Sequence, residues 1–207
     1  SGETVAGITG ALTTLGHEVT QIGNITSLVK FLSEGKRVDL VFNMAEGRYG
    51  RTRESQVPSL LEAYQIPYTF SDSLTLAICL DKGRTKEILK LAQIPTPEYQ
   101  VLEPETDIET TIAFPLFTKP LYEGTSKGIS EDAIIYRKDE LITRTKWLWS
   151  EYDQPVLLEK YLPGREFTVG ILGTGKDARV LGMMEVLLNE GGKIYGFREK
   201  ENYTRLV

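Results

Sequence analysis

The stretch Lys119–Ser130, KPLYEGTSKGIS, follows the apolar run Phe114–Phe117 and sets two glycines, three aliphatic hydroxyls and two lysines within a dozen residues. A strand ending at Lys119, followed by a flexible loop through Gly124, Thr125, Ser126 and Gly128, would bring one ammonium and several backbone N–H groups over a common point. Glycine lets the backbone approach closely and take positive φ, while hydroxyls and amides donate to oxygen, so phosphate is the guest this chemistry suits. The stretch lacks the full Walker spacing, and no helix N-terminus clearly follows it. Taken alone, the loop reads first as a mobile surface turn with a solvated lysine.

Downstream lies Val156–Leu172, VLLEKYLPGREFTVGIL. A strand through Glu159, Lys160, Tyr161 and Leu162 is expected to pass a Pro163-Gly164 turn into a second strand beginning at Glu166. Such a hairpin would fold Glu159 and Glu166 towards one edge of a sheet, where two acids could meet ribose hydroxyls or a metal, or simply end a hairpin.

Upstream, Val5, Ile8, Leu12 and Leu15 recur at helical spacing and Gly16 follows as a stop. Strand-like HEVTQIG, helical ITSLVKFLSEG, the apolar run VDLVFNMAEG, helical SQVPSLLEAYQ and strand-like IPYTFSD come next. This alternation predicts a doubly wound α/β lobe. Beyond Asp72 the reading is one helical segment from Leu74 to Gln93, strands at IPTPEYQVL and PLFTKP, and a helix over KDELITRTKWLWSEYD with Leu141, Trp147 and Leu148 facing a core. Strands then dominate, ending with KIYGF.

With 207 residues, 41% hydrophobic and 26% charged, the chain can bury a core without disulfides. Its single cysteine, Cys79, excludes an internal disulfide framework. A net charge of -5 argues against a broad nucleic-acid surface, though one or two lysines suffice for a small anion. The sequence has no basic leader and no apolar run of about 18 residues, so neither a membrane span nor a signal peptide is expected, and no membrane or nucleic acid as a partner; the single cysteine makes a reducing cytoplasm the expected location. The chain opens without Met and closes without a breaker, and is expected to be a piece of something longer.

Three segments in fixed order, LDKGRTKEILKLAQIPTP, FTKPLYEGTSKGIS and LLEKYLPGREFTVGIL, resemble the ATP-grasp superfamily and within it the D-alanine:D-alanine ligase family. The resemblance implies an α/β (α+β) ATP-grasp fold: an N-terminal lobe over 1–72, a central subdomain over 73–158 and the start of a C-terminal subdomain over 159–207. It implies that Lys82 and Lys119 approach the α and β phosphates of ATP, and that Glu123, Gly124, Thr125, Ser126 and Gly128 close over the β and γ phosphates. Glu159 with the chain of Lys160, Tyr161 and Leu162 would line the adenine, and Glu166 would take the ribose hydroxyls. Catalytic parts fall to Ser126 in the lid and to Lys200 after Tyr195, which alternatively reads as a solvated lysine in a charged run.

The activity so implied is ATP-dependent carbon–nitrogen ligation, in which a substrate carboxylate becomes an acyl phosphate and an amine displaces the phosphate. Small amino-acid or peptide substrates and a homodimer are what the family suggests. Magnesium is expected as a cofactor, but with its ligands beyond the end of this chain, so no metal ligand is assigned. Where relatives carry a His-Gly pair and a Gly-Glu-Asp-Gly run, this chain reads NMAEGRYGRTRESQ. Glu46 and Gly47 are therefore the expected substrate contacts, with altered amino-acid choice. Lys127, where a small apolar residue is usual, is expected to face solvent. His17 is not expected to be catalytic. The alternative function is a regulatory nucleotide-binding module, or degenerate ligase, without chemistry.

Overall fold

The structure, a computed structural model, describes residues 2–187. The chain divides into two units after Ala77.

In the first unit, helix α1 (Gly2–Thr14) ends as its sequence requires. Gly16 takes φ +89°, and His17 N–H reaches Leu12 O at 3.1 Å while Gly16 N–H reaches Thr13 O at 2.9 Å, a Schellman closure. Helix α2 (Ile25–Ser33) is capped by Asn24, whose side chain accepts from Ser27 N–H. Helix α3 (Gln56–Ala63) follows a short 3-10 turn, Arg53–Ser55. Leu28 and Leu32 of α2 pack with Val57 and Leu61 of α3 and with Ile66, forming this unit's core.

The alternation of helix and extended segment expected here is present, but pairing between the extended segments is confined to one parallel bridge, Val41 with Tyr68. Val41 N–H donates to Pro67 O and Thr69 N–H to Val41 O. The ladder stops on one side because Pro67 has no N–H to give. On the other side the next donor, Asn43 N–H, takes the Thr69 hydroxyl in place of its carbonyl, at 3.1 Å. Residues 17–22 form no strand.

Helix α4 (Ser73–Leu80) runs through the division between units, and helix α5 (Lys82–Leu91) follows. The single helix expected over this span is broken at Asp81, whose carboxylate accepts Arg84 N–H as the cap of α5 at 3.1 Å.

The second unit holds a four-stranded antiparallel sheet of β1 (Tyr99–Leu102), β2 (Leu116–Pro120), β3 (Ile134–Ile135) and β4 (Val156–Lys160), in the order β1-β4-β2-β3. Helix α6 (Lys138–Tyr152) lies between β3 and β4 in sequence. One face of the sheet joins Leu102, Leu116, Ile135, Val156 and Leu158 to Leu141 and Leu148 of α6. Trp147, expected in this core, is 44% exposed; Trp149 packs there instead and donates Nε1–H to Leu102 O at 3.2 Å.

Because side chains alternate across a strand, the register puts Tyr99, Glu159 and Phe117 in one row on the opposite face, with Lys119 beside Leu157. Helix α5 reaches this second face through Gly83, where an added Cβ would lie 3.3 Å from Val101 Cγ2.

Strands β5 (Glu166–Leu172) and β6 (Arg179–Val186) form a separate two-stranded sheet, turning at Gly173. The hairpin expected across Pro163-Gly164 is thus corrected: β4 has both edges occupied by β1 and β2, leaving none for β5, which pairs forward with β6.

Candidate functional site

The row on the second sheet face centres on Glu159, which is 7% exposed. Lys86 Nζ lies 2.5 Å from its Oε1 and Lys119 Nζ 2.5 Å from its Oε2. Burial alone would push the Glu159 carboxyl up, but the two ammonium groups more than reverse this and hold it below the usual glutamate range. The site therefore contains a buried acid whose ionised form is favoured by its two neighbours.

Aromatic rings stand beside it. Phe117 stacks with Tyr161 at 6.3 Å between centroids and 17° between planes, and Lys119 Nζ sits 5.8 Å from the Phe117 centroid. Lys160 alternates to the other face, where its ammonium takes Ala113 O at 2.8 Å and Phe114 O at 3.0 Å, leaving only its main chain near this face. Leu162 is exposed just beyond.

From the end of β2 runs the loop 121–130. Thr125 and Ser126 take φ +54° and +60°, a left-handed pair unusual for side chains with a Cβ, and Gly128 takes φ +73°. A Cβ on Gly128 would meet Pro120 Cγ at 2.6 Å, so glycine is required there. Lys127 N–H closes on Gly124 O and Ile129 N–H on Ser126 O, each at 3.0 Å, so these two amides serve the loop's own turns. Lys82, first residue of α5, donates its ammonium to Leu121 O at 3.1 Å and to Glu123 O, tying the helix start to the loop's entrance. Gln154 holds the same entrance, accepting Tyr122 N–H at 2.6 Å and donating to Glu123 Oε1 at 3.0 Å. At the far end Arg144 of α6, 5% exposed, donates to Gly128 O and to Asp132 Oδ2. Lys127 is largely solvated, 3.8 Å from Glu123 Oε2.

Of the residues singled out in the sequence, Lys119, Glu123, Gly124, Thr125, Ser126, Gly128, Glu159, Lys160 and Tyr161 belong to or directly follow this one sheet and its loop, and Lys82 reaches the loop from the start of α5. Glu166 starts β5, exposed and in the other sheet, so no strand pairing sets it beside Glu159. Glu46 and Gly47 lie in the first unit; Gly47 takes φ +67°, and a Cβ there would stand 2.3 Å from Arg53 O. Lys200 and Tyr195 lie outside the described residues.

Two residues escaped the sequence reading. Lys86 sits in KGRTKEILKL as one lysine among three, and the only hint of its burial is its place one turn after Lys82 on the same helix face. Arg144 sits between two threonines in a polar helix and carries no signal at all.

Among the described residues, no group of three or more His, Cys, Asp or Glu side chains could hold a metal, and no helix is long and apolar enough to cross a membrane.

Comparison with known proteins is consistent across sequence and structure. The D-ala D-ala ligase C-terminus family matches residues 88–206. A D-alanine--D-alanine ligase of Aquifex aeolicus is 35% identical over 197 residues, covering 94% of this chain and 62% of that protein. The VanG D-Ala:D-Ser ligase of Enterococcus faecalis superposes with a TM-score of 0.64 at 29% identity, over 77% of this chain and 46% of that one. The D-alanine--D-alanine ligase of Bacillus anthracis complexed with ATP gives a TM-score of 0.57 at 28% identity, over 78% and 56% respectively. The chain spans about half the length of the curated relatives it matches.

Proposed function

The chain belongs to the D-alanine:D-alanine ligase family, with its ATP-grasp fold, and on that premise we propose that its central sheet and loop are the nucleotide site of an ATP-dependent carbon–nitrogen ligase that forms an amide bond. The observation that carries the reading is the Lys119–Glu159 pair, set beside the stacked Phe117 and Tyr161 at the root of the loop 121–130. An ionised acid accepts the exocyclic amine of adenine, aromatic and apolar surface takes the base, and an ammonium meets phosphate. The family membership and the ligase names of the relatives favour chemistry over a nucleotide-binding module without it.

ATP supplies the phosphoryl group that activates a substrate carboxylate for attack by an amine. This chain's part is positioning and charge neutralisation. Lys119 and Lys82 take the α and β phosphates, the loop from Glu123 to Gly128 covers the β and γ phosphates and excludes water, and the catalytic parts go to Ser126 and Lys200. Glu166 holds the ribose. Glu46 and Gly47 contact an amino-acid or peptide substrate. Magnesium accompanies the nucleotide, but the described residues offer it no ligand cluster. A three-part division at about residues 72 and 158, a homodimer and a cytoplasmic location complete the proposal.

Titration calorimetry with ATP and ADP, with GTP as control, tests it. Selective adenine-nucleotide binding is expected; equal binding of GTP would remove Glu159 as the base reader. Release of ADP by the full-length protein in the presence of amino acids tests the ligation itself.

A further inference from the structure

Lys86 is a buried cation on the sheet face of the nucleotide site to which that site assigns no phosphate or base. Its ammonium is enclosed by Glu159 Oε1 at 2.5 Å, Thr96 Oγ1 at 2.7 Å and the Tyr99 ring, whose centroid is 5.2 Å away. Its side chain is 8% exposed, against 22% for Lys119 on the other carboxylate oxygen. One buried carboxylate thus carries two ammonium groups, one sealed in and one partly exposed.

This asymmetry has an energetic consequence. A buried ion stripped of its partner is strongly penalised. Were Lys119 the only cation, its move to a phosphate would strand Glu159 as a bare interior anion, and nucleotide binding would bear that cost. We propose that Lys86 is a positioning residue, the fixed counter-ion of Glu159, which frees Lys119 to exchange a carboxylate oxygen for a phosphate oxygen. The inference rests on the nucleotide site proposed above. During the exchange Lys119 leaves Oε2, an amine N–H of the base takes its place, and Lys86 does not move. No proton is transferred.

The test is calorimetric titration of ATP and of inorganic tripolyphosphate into the full-length protein and three variants. Lys86→Met should weaken both ligands by about tenfold or more, because Lys119 becomes the sole partner of Glu159, whereas Lys86→Arg should stay within about threefold of wild type. Adding Glu159→Gln to Lys86→Met should return tripolyphosphate affinity, since a neutral amide no longer retains Lys119. Wild-type affinity for both ligands in a folded Lys86→Met protein overturns the proposal.

A ligand-free measurement judges Lys86 even where Lys86→Met does not fold or the wild-type protein binds no nucleotide, an outcome that would sink the functional reading alone. In Lys119→Met protein, the groups facing Glu159 are Lys86 from α5 and Tyr99 from β1. Carbon-13 NMR should show the Glu159 carboxyl titrating below the ordinary glutamate range. Titration at or above that range excludes Lys86 as a sufficient counter-ion.

Discussion

Arg144 of α6 donates to the carbonyl oxygen of Gly128 at 2.6 Å, and its other terminal nitrogen holds Asp132 at 2.7 Å. The far end of the loop is thereby fastened to the helix, while the near end is fastened to α5 through Lys82. Motion of the loop is confined to the residues between these two ties. Arg144→Met should release the far end, raise the rate of limited proteolysis within residues 123–130 several-fold, and lower stability by about 1–3 kcal/mol. Protease mapping by mass spectrometry reads the first effect and urea unfolding the second.

Gly128→Ala forces a Cβ into Pro120 at a φ of +73°. Both the clash and the backbone conformation act against it, so a loss of about 2 kcal/mol or more is expected. Gly164→Ala, where nothing lies within 4 Å of the added carbon, is the control and should change the melting temperature little.

Lys119→Ala should weaken ATP binding by about 1.5–3 kcal/mol, the range for a charge-assisted hydrogen bond in a partly closed site. Lys127→Ala, at a position already 47% exposed, should have far less effect. Calorimetry on the two variants separates them, and small equal losses would remove Lys119 from the phosphates.

The depressed Glu159 carboxyl makes a prediction about acid. Its folded value lies below the unfolded one of about 4.3. Its contribution to stability is therefore complete above that value and disappears as pH falls through the lower, folded value. Glu159→Gln cannot titrate, so the stability difference between wild type and variant should narrow between about pH 5 and pH 2. Urea unfolding at pH intervals measures it; a difference constant across this window would show that Glu159 does not titrate abnormally.

How far the sequence foretold all this depended on whether a signal was local. Gly16 after a helical apolar spacing and Gly128 in the loop act within a few residues, and each takes the positive φ that glycine permits. The break at Asp81 was equally local, an aspartate two residues before a glycine, but the apolar content of LTLAICL hid it. Lys86 and Arg144 were invisible because their meaning lies in partners 73 and 12–16 residues away. The Pro163-Gly164 hairpin failed for the same reason. A proline-glycine pair predicts a reversal, yet whether two strands then pair depends on β1 and β2 having already taken both edges of β4.

That central place of β4 bears on how the chain folds. It is the last of the four strands to leave the ribosome and the only one that joins β1 to β2. Until residues 156–160 emerge, β1 has no strand to pair with and β2 has only the two residues of β3. Assembly of the sheet must wait for this late, long-range closure, whose loop entropy is met before the β1–β4 contacts form. The same five residues carry Glu159. Completion of this sheet and creation of the Lys86–Glu159–Lys119 ion pairs are consequently one event.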